Sequence, residues 1–110
     1  MEELIKRART EALFRDVNER IAESAERFDA DTTQFVCECS DPGCIDRVEA
    51  TLEQYETVRE DATTFLLVPG HEDGQIERVV AKHRRFNIVE KLDGVVARTV
   101  RGLDPRAEPA

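Results

Sequence analysis

Three cysteines lie within eight residues, as Cys37-Glu-Cys39-Ser-Asp-Pro-Gly-Cys44, and a histidine, His71, follows Pro69-Gly70. Three thiolates and one imidazole make a standard closed zinc set. On an extended segment, residues i and i+2 project to the same face, so Cys37 and Cys39 point together. The turn Ser40-Asp-Pro-Gly can bring Cys44 back toward them. Pro69 fixes one backbone dihedral and Gly70 permits a sharp bend, which aims the ring of His71. The expectation is one Zn2+ per chain on Cys37, Cys39, Cys44 and His71. An iron–sulfur cluster, redox-active thiols and ordinary buried cysteines are the alternatives that this spacing leaves open. An odd cysteine count argues against a disulfide framework. His83, the other histidine, sits in Lys82-His-Arg-Arg85, where a cation is unwelcome, and is expected to be exposed.

Other chemistry finds little purchase. There is no Gly-rich phosphate loop, no G-x-S-x-G, no HExxH, and no H-x-E paired with P-C-x-x-C. A cysteine nucleophile with His71 as base lacks the positive field that activates such thiols. Glu38 could serve as a general base only at a metal with an open position, and four protein ligands leave none. No catalytic residue is assigned. The expected role is a non-enzymatic interaction or regulatory module. The alternative is a redox or metal sensor using the same cysteines.

Charge supports a cation in this segment. The chain of 110 residues carries a net charge of −8. Residues 29–61 account for a net −8, with ten acids against Arg47 and Arg59; residues 1–28 are at −1 and residues 62–110 at +1. Such a balance disfavours nucleic acid and anionic lipid as partners. No apolar run reaches the length of a membrane span, and Met1-Glu-Glu is the reverse of a basic leader, so the cytoplasm is the expected compartment.

The elements that must position these ligands read as a small α+β domain of residues 1–100 with a flexible tail at 101–110. Residues 1–28 lack Gly and Pro and are rich in Ala, Glu and Arg, which predicts a long helix. Phe14, Val17, Ile21, Ala25 and Phe28 form its expected buried stripe, and Glu11–Arg15 and Glu23–Arg27 are i,i+4 pairs. The stripe is expected to dock on the domain's sheet, with a homodimer or protein partner on the helix as the other possibility. Strands are predicted at 34–39, 45–50, 65–68 and 86–92, and Thr51-Leu-Glu-Gln54 predicts a capped helix over 52–60. The buried face of that helix should be Leu52, Tyr55 and Val58. Residues 76–81 are ambiguous, since Ile76, Val79 and Val80 fit a helix stripe almost as well as a strand, and a turn is expected at Leu92-Asp93. The architecture is thus a long N-terminal helix on a small, mostly antiparallel sheet, with one further short helix and a Cys3His turn.

Phe14-Arg-Asp-Val-Asn-Glu-Arg-Ile21, Phe35-Val-Cys-Glu-Cys39 with Cys44, Glu53-Gln-Tyr55-Glu-Thr-Val58-Arg59, Pro69-Gly-His-Glu72 and Val89-Glu-Lys91 resemble a family of small uncharacterised bacterial proteins common in high-GC Gram-positive bacteria. The resemblance spans about residues 14–92. It implies a metal site at Cys37, Cys39, Cys44 and His71 and a β-rich stretch leading into a Thr-capped helix over Ile45–Thr51. It implies no activity or substrate. A weaker similarity to CDGSH-type iron–sulfur proteins rests on C-x-C alone, and the spacing to Cys44 is too short for it.

Overall fold

The computed structural model describes residues 2–92 and 94–107. A first helix, α1, runs over Glu2–Arg27. It closes in a Schellman motif, with Ala30 N donating to Ala25 O (3.0 Å) and Asp29 N to Glu26 O (3.3 Å). Asp29 takes the left-handed position at φ 52°, which Asp tolerates better than most residues. Two antiparallel strands follow, β1 (Thr33–Val36) and β2 (Arg47–Ala50), with Phe35 opposite Val48. The helix α2 (Leu52–Val58) starts on the expected capping box, in which Gln54 N donates to Thr51 Oγ1 (3.0 Å) and Thr51 N to Gln54 Oε1 (2.9 Å). Tyr55 and Val58 are buried as expected, with Leu52 half-buried, and the Tyr55 ring stacks on Phe35 at 4.6 Å. Strands β3 (Thr64–Leu67), β4 (Glu77–Lys82) and β5 (Asn87–Lys91) form an antiparallel sheet in the order β3-β5-β4. A last helix, α3 (Gly94–Gly102), buries Val96, Ala97 and Val100 and packs on α1.

The α+β architecture is the expected one, with two differences. The strands divide into a two-stranded and a three-stranded sheet, and two further helices follow α1, not one. The missed element is α3. Its signal was the i, i+1, i+4 spacing of Val96, Ala97 and Val100, hidden among β-branched residues behind Gly94. Of the segment 76–81, Ile76 lies in a turn and residues 77–81 are strand, as part of β4. Val79 pairs with Val89 and Ala81 with Ile88, so Val80 is an extra residue in the ladder, and this bulge breaks the period of two. Arg101 and Gly102 complete α3 in place of loose chain. Beyond them, Arg59 pairs with Asp104, and Arg106 forks onto Glu56 (2.7 and 3.0 Å). Asp93 of the expected turn and positions 108–110 of the expected tail lie outside the described residues.

The buried face of α1 is also not the expected one. Of the predicted stripe only Ala25 is buried; Phe14 and Ile21 are half-buried, Val17 is 40% exposed and Phe28 74%. The interior takes Ala8, Ala12, Ala22 and Ala25 together with Glu11, Arg15 and Asn18. The alanines let the helix approach closely, and the polar residues enter because each meets a partner. Arg15 donates to Val100 O (2.7 Å) and Ala62 O (2.6 Å). Asn18 lies alongside β1, its Oδ1 accepting from Val36 N (2.8 Å) and its Nδ2 donating to Val36 O (2.9 Å). Glu11 pairs with Lys91 rather than with Arg15.

Lys91 lies between Glu11 and Glu77, and all three side chains are fully buried. The ring of Phe65 is flanked by Arg15 at 4.4 Å and Lys91 at 4.5 Å. One ammonium serves two carboxylates, which favours a proton on one of them. Burial, with Asp73 and Glu72 nearby, pushes the Glu77 carboxyl up to about 8, against the lowering by the Asp73 N–H.

Two predictions follow from this interior. Asn18→Ala leaves the Val36 amide without its partner and should destabilise the domain by about 3 kcal/mol, whereas Phe28→Ser should change stability by less than about 0.5 kcal/mol. Urea unfolding of both variants checks the choice of buried face. From about pH 5 to about pH 8 the folded chain retains a proton on Glu77 that the unfolded chain has lost, so Glu77 makes stability fall as pH rises through that window. Thermal unfolding of Glu77→Gln across this range should show a shallower fall than the unsubstituted protein.

Candidate metal centre

Cys37, Cys39, Cys44 and His71 converge, and their ligand atoms all lie within 4.8 Å of one another. Three pieces of backbone bring them there. Val36 ends the β1 ladder, and the next three residues run across to the second sheet. Cys37 N donates to Asp46 O (3.1 Å), and Glu38 N donates to Leu66 O (3.0 Å). The chain remains extended, so Cys37 and Cys39 share a side, as the i,i+2 spacing requires. Both are buried. Asp41-Pro-Gly-Cys44 forms a tight turn in which Cys44 N donates to Asp41 O (3.0 Å) and Gly43 N to Asp41 Oδ1 (2.9 Å). That returns Cys44, half-buried, to the other two thiols.

His71 arrives on a second turn. Its N–H donates to Val68 O (3.0 Å) across Pro69-Gly70, with Gly70 at φ 93°. Pro followed by a residue of positive φ is the arrangement of a type II turn, and only glycine enters that conformation without strain. The ring's Nδ1 stands 3.5 Å from Cys37 Sγ and 3.7 Å from Cys44 Sγ. Its Nε2 lies 3.4 Å from Asp46 Oδ2. Carboxylates in this position orient a ligating imidazole and raise its basicity. The residue just after β3 contributes as well, since Val68 N donates to Cys37 Sγ at 3.3 Å. His83 is exposed and stacks on Phe86 at 4.5 Å, apart from the cluster.

The protein groups around the cluster by themselves oppose thiolates. Burial pushes the Cys37 thiol well above its ordinary range; the Val68 amide pulls it down, and neighbouring Cys39 and Cys44 push it up again. Burial likewise raises Cys39, against a lowering from the Asp41 amide. Such thiols are poor nucleophiles. A bound cation reverses the balance by favouring the charged form of every ligand.

Glu38, between two of the thiols in sequence, points the other way. It is fully buried, accepting from Leu66 N at Oε1 (3.0 Å) and from Asn18 Nδ2 at Oε2 (2.7 Å). With both oxygens engaged away from the sulfurs, it positions the Cys37–Cys39 segment and is no base for a metal-bound water. Burial pushes its carboxyl up to about 7, and the hydrogen bonds from Asn18 and Leu66 hold it back from rising further. Asn18, Asp46 and the Val68 amide had no signal in the sequence, since each acts through a contact between distant segments.

No family model, curated protein or solved structure matches the chain. The site therefore rests on its own geometry: four ligand atoms at mutual distances suited to one ion, and a carboxylate behind the imidazole. Among the described residues, no helix is long and apolar enough to cross a membrane.

Asp46 provides the test of that geometry. Asp46→Asn keeps the backbone carbonyl that holds Cys37 but removes the charge behind His71. Metal affinity, measured by competition with a chromogenic chelator, should fall about tenfold, with little change in the melting temperature of the saturated protein.

Proposed function

We propose that this protein binds one zinc ion per chain in a closed, structural Cys3His site, and that it acts as a non-enzymatic interaction or regulatory module. The observation carrying this reading is the pair of Nδ1–Sγ distances, 3.5 and 3.7 Å. Bond lengths of about 2.3 Å to sulfur and about 2.05 Å to nitrogen give tetrahedral S–N edges of about 3.5 Å and S–S edges of about 3.8 Å. All four ligand atoms lie within 4.8 Å of one another, about 1 Å beyond the longest of those edges. Three thiolates and one imidazole fill four positions and leave none for substrate. An ion in this place ties the Cys37–Cys44 loop to the turn after β3, supplementing the core of a chain with only 5% aromatic residues. Reduced thiols of this kind fit the cytoplasm, and membership of the bacterial family described above belongs to the same proposal.

A redox or metal sensor is the second reading, and the half-buried Cys44 favours it. An oxidant such as peroxide would take two electrons from Cys44 and a neighbouring thiolate, joining them as a disulfide, reducing the peroxide to water and releasing the metal.

Elemental analysis of the purified protein should give close to one zinc per chain and a colourless solution; iron with sulfide, or a fully folded protein without metal, would refute the proposal. Cys39→Ser should lose zinc and most of the cooperative melting transition, because in small zinc domains binding contributes on the order of 10 kcal/mol to folding. His71→Ala should do the same more mildly, and His83→Ala should do neither. Zinc retained by both histidine variants would point to water or a carboxylate as fourth ligand and reopen the case for a catalytic metal.

A further inference from the structure

One stripe on the outward face of α1 gathers cations. Lys6, Arg9, Leu13, Val17, Arg20 and Arg27 recur at steps of three, four and seven residues and are all exposed, which places them on one stripe. None of the four cations has an ion-pair partner among the described residues. Leu13, 61% exposed, and Val17, 40% exposed, sit at its centre. Of the seven acids of the helix, Asp16 is half-buried, and Glu23 and Glu26 are exposed along the flank of the stripe near its C-terminal end. Glu11 is buried against Lys91, Glu19 is held by Arg59 and Arg106, and Glu3 pairs with Arg7; Glu2 stands at the head of the stripe. A chain with a net charge of −8 therefore carries a basic ridge about 32 Å long with an apolar middle.

We propose that this ridge is the docking face for an acidic amphipathic helix of a partner protein. The proposal deepens the reading of the domain as an interaction module and rests on it. Lys6, Leu13, Arg20 and Arg27 follow a spacing of seven, by which one helix meets another along its length. An apolar residue opposite Leu13 and Val17 excludes water, and carboxylates on either side meet the cations. A second copy of the chain suits the ridge poorly. Antiparallel pairing of two α1 helices that sets Leu13 on Val17 brings Arg9 beside Arg20, cation against cation. Phosphate backbones would satisfy the cations but leave the apolar centre uncovered. The helix can serve in this way because its inward face is fully occupied by the domain.

The test uses the full, metal-loaded chain and two synthetic helical peptides with leucine on one face, flanked by glutamate in one and by lysine in the other. Fluorescence anisotropy should show binding of the acidic peptide alone, weakening as salt rises. The double variant Arg9→Glu with Arg20→Glu should weaken it at least about tenfold, and Leu13→Ser should weaken it too. Both variants should keep the melting temperature and metal content of the parent. Failure of the metal-loaded protein to bind the acidic peptide, or binding indifferent to these substitutions, overturns the proposal. So does an α1-mediated dimer in sedimentation, or a preference for phosphatidylserine vesicles or an oligonucleotide over the peptide. Metal content measured on the same sample separates the two readings: metal-free protein that still binds the peptide refutes the zinc site and leaves the docking face standing.

Discussion

Glu38 takes both of its carboxylate oxygens into the interior, and one helix and two sheets are arranged around satisfying them. Its Oε1 accepts from Leu66 N on β3 and its Oε2 from Asn18 on α1, while its own N–H reaches Leu66 O. A buried carboxylate left without donors would cost several kcal/mol, so these contacts form together or not at all. Once formed, they hold the chain extended from Val36 to Cys39 and lay it beside β3. The two thiols then face the turn that carries His71, because that turn is the direct continuation of β3. The Cys3His cluster is in this sense a consequence of where Glu38 is satisfied.

The same demand shapes the rest of the core. With 36% charged residues and five phenylalanines, the chain must either keep its charges outside or pair them within. It does the second at Glu11, Lys91 and Glu77, and flanks Phe65 with two cations. Pairs of this kind contribute little net stability compared with apolar residues of equal volume, but breaking one is costly. Their effect is on specificity. The helix α1 can seat in only one rotation, the one in which Glu11, Arg15 and Asn18 each find their partners. An apolar stripe would tolerate slippage that this polar face does not.

Seating α1 on its polar and small residues has a second consequence, on the side facing away. The larger apolar residues Leu13 and Val17 are left outside among cations, so the element that completes the core also presents a basic stripe to solvent. The Cys3His turn and this surface lie on separate elements.

The residues Cys37, Cys39, Cys44 and His71 were legible from sequence because their chemistry depends on local devices. An i,i+2 spacing on an extended segment, an Asp-Pro-Gly turn and a Pro-Gly turn each act within a few residues, and the capping box at Thr51–Gln54 is of the same kind. The helical nature of residues 2–27 was equally local, arising from composition. Which face of that helix would be buried was not. Periodicity ranks residues by hydrophobicity and so selects Phe14 to Phe28, whereas burial is decided by whether a polar side chain meets a partner. The partners of Glu11, Arg15 and Asn18 lie 18 to 85 residues away in the chain. The role of Glu38, the placement of Asp46 behind His71 and the docking of α3 were settled in the same way. Tertiary structure decided them because a buried polar group is tolerable only in the company of donors or acceptors that distant segments supply.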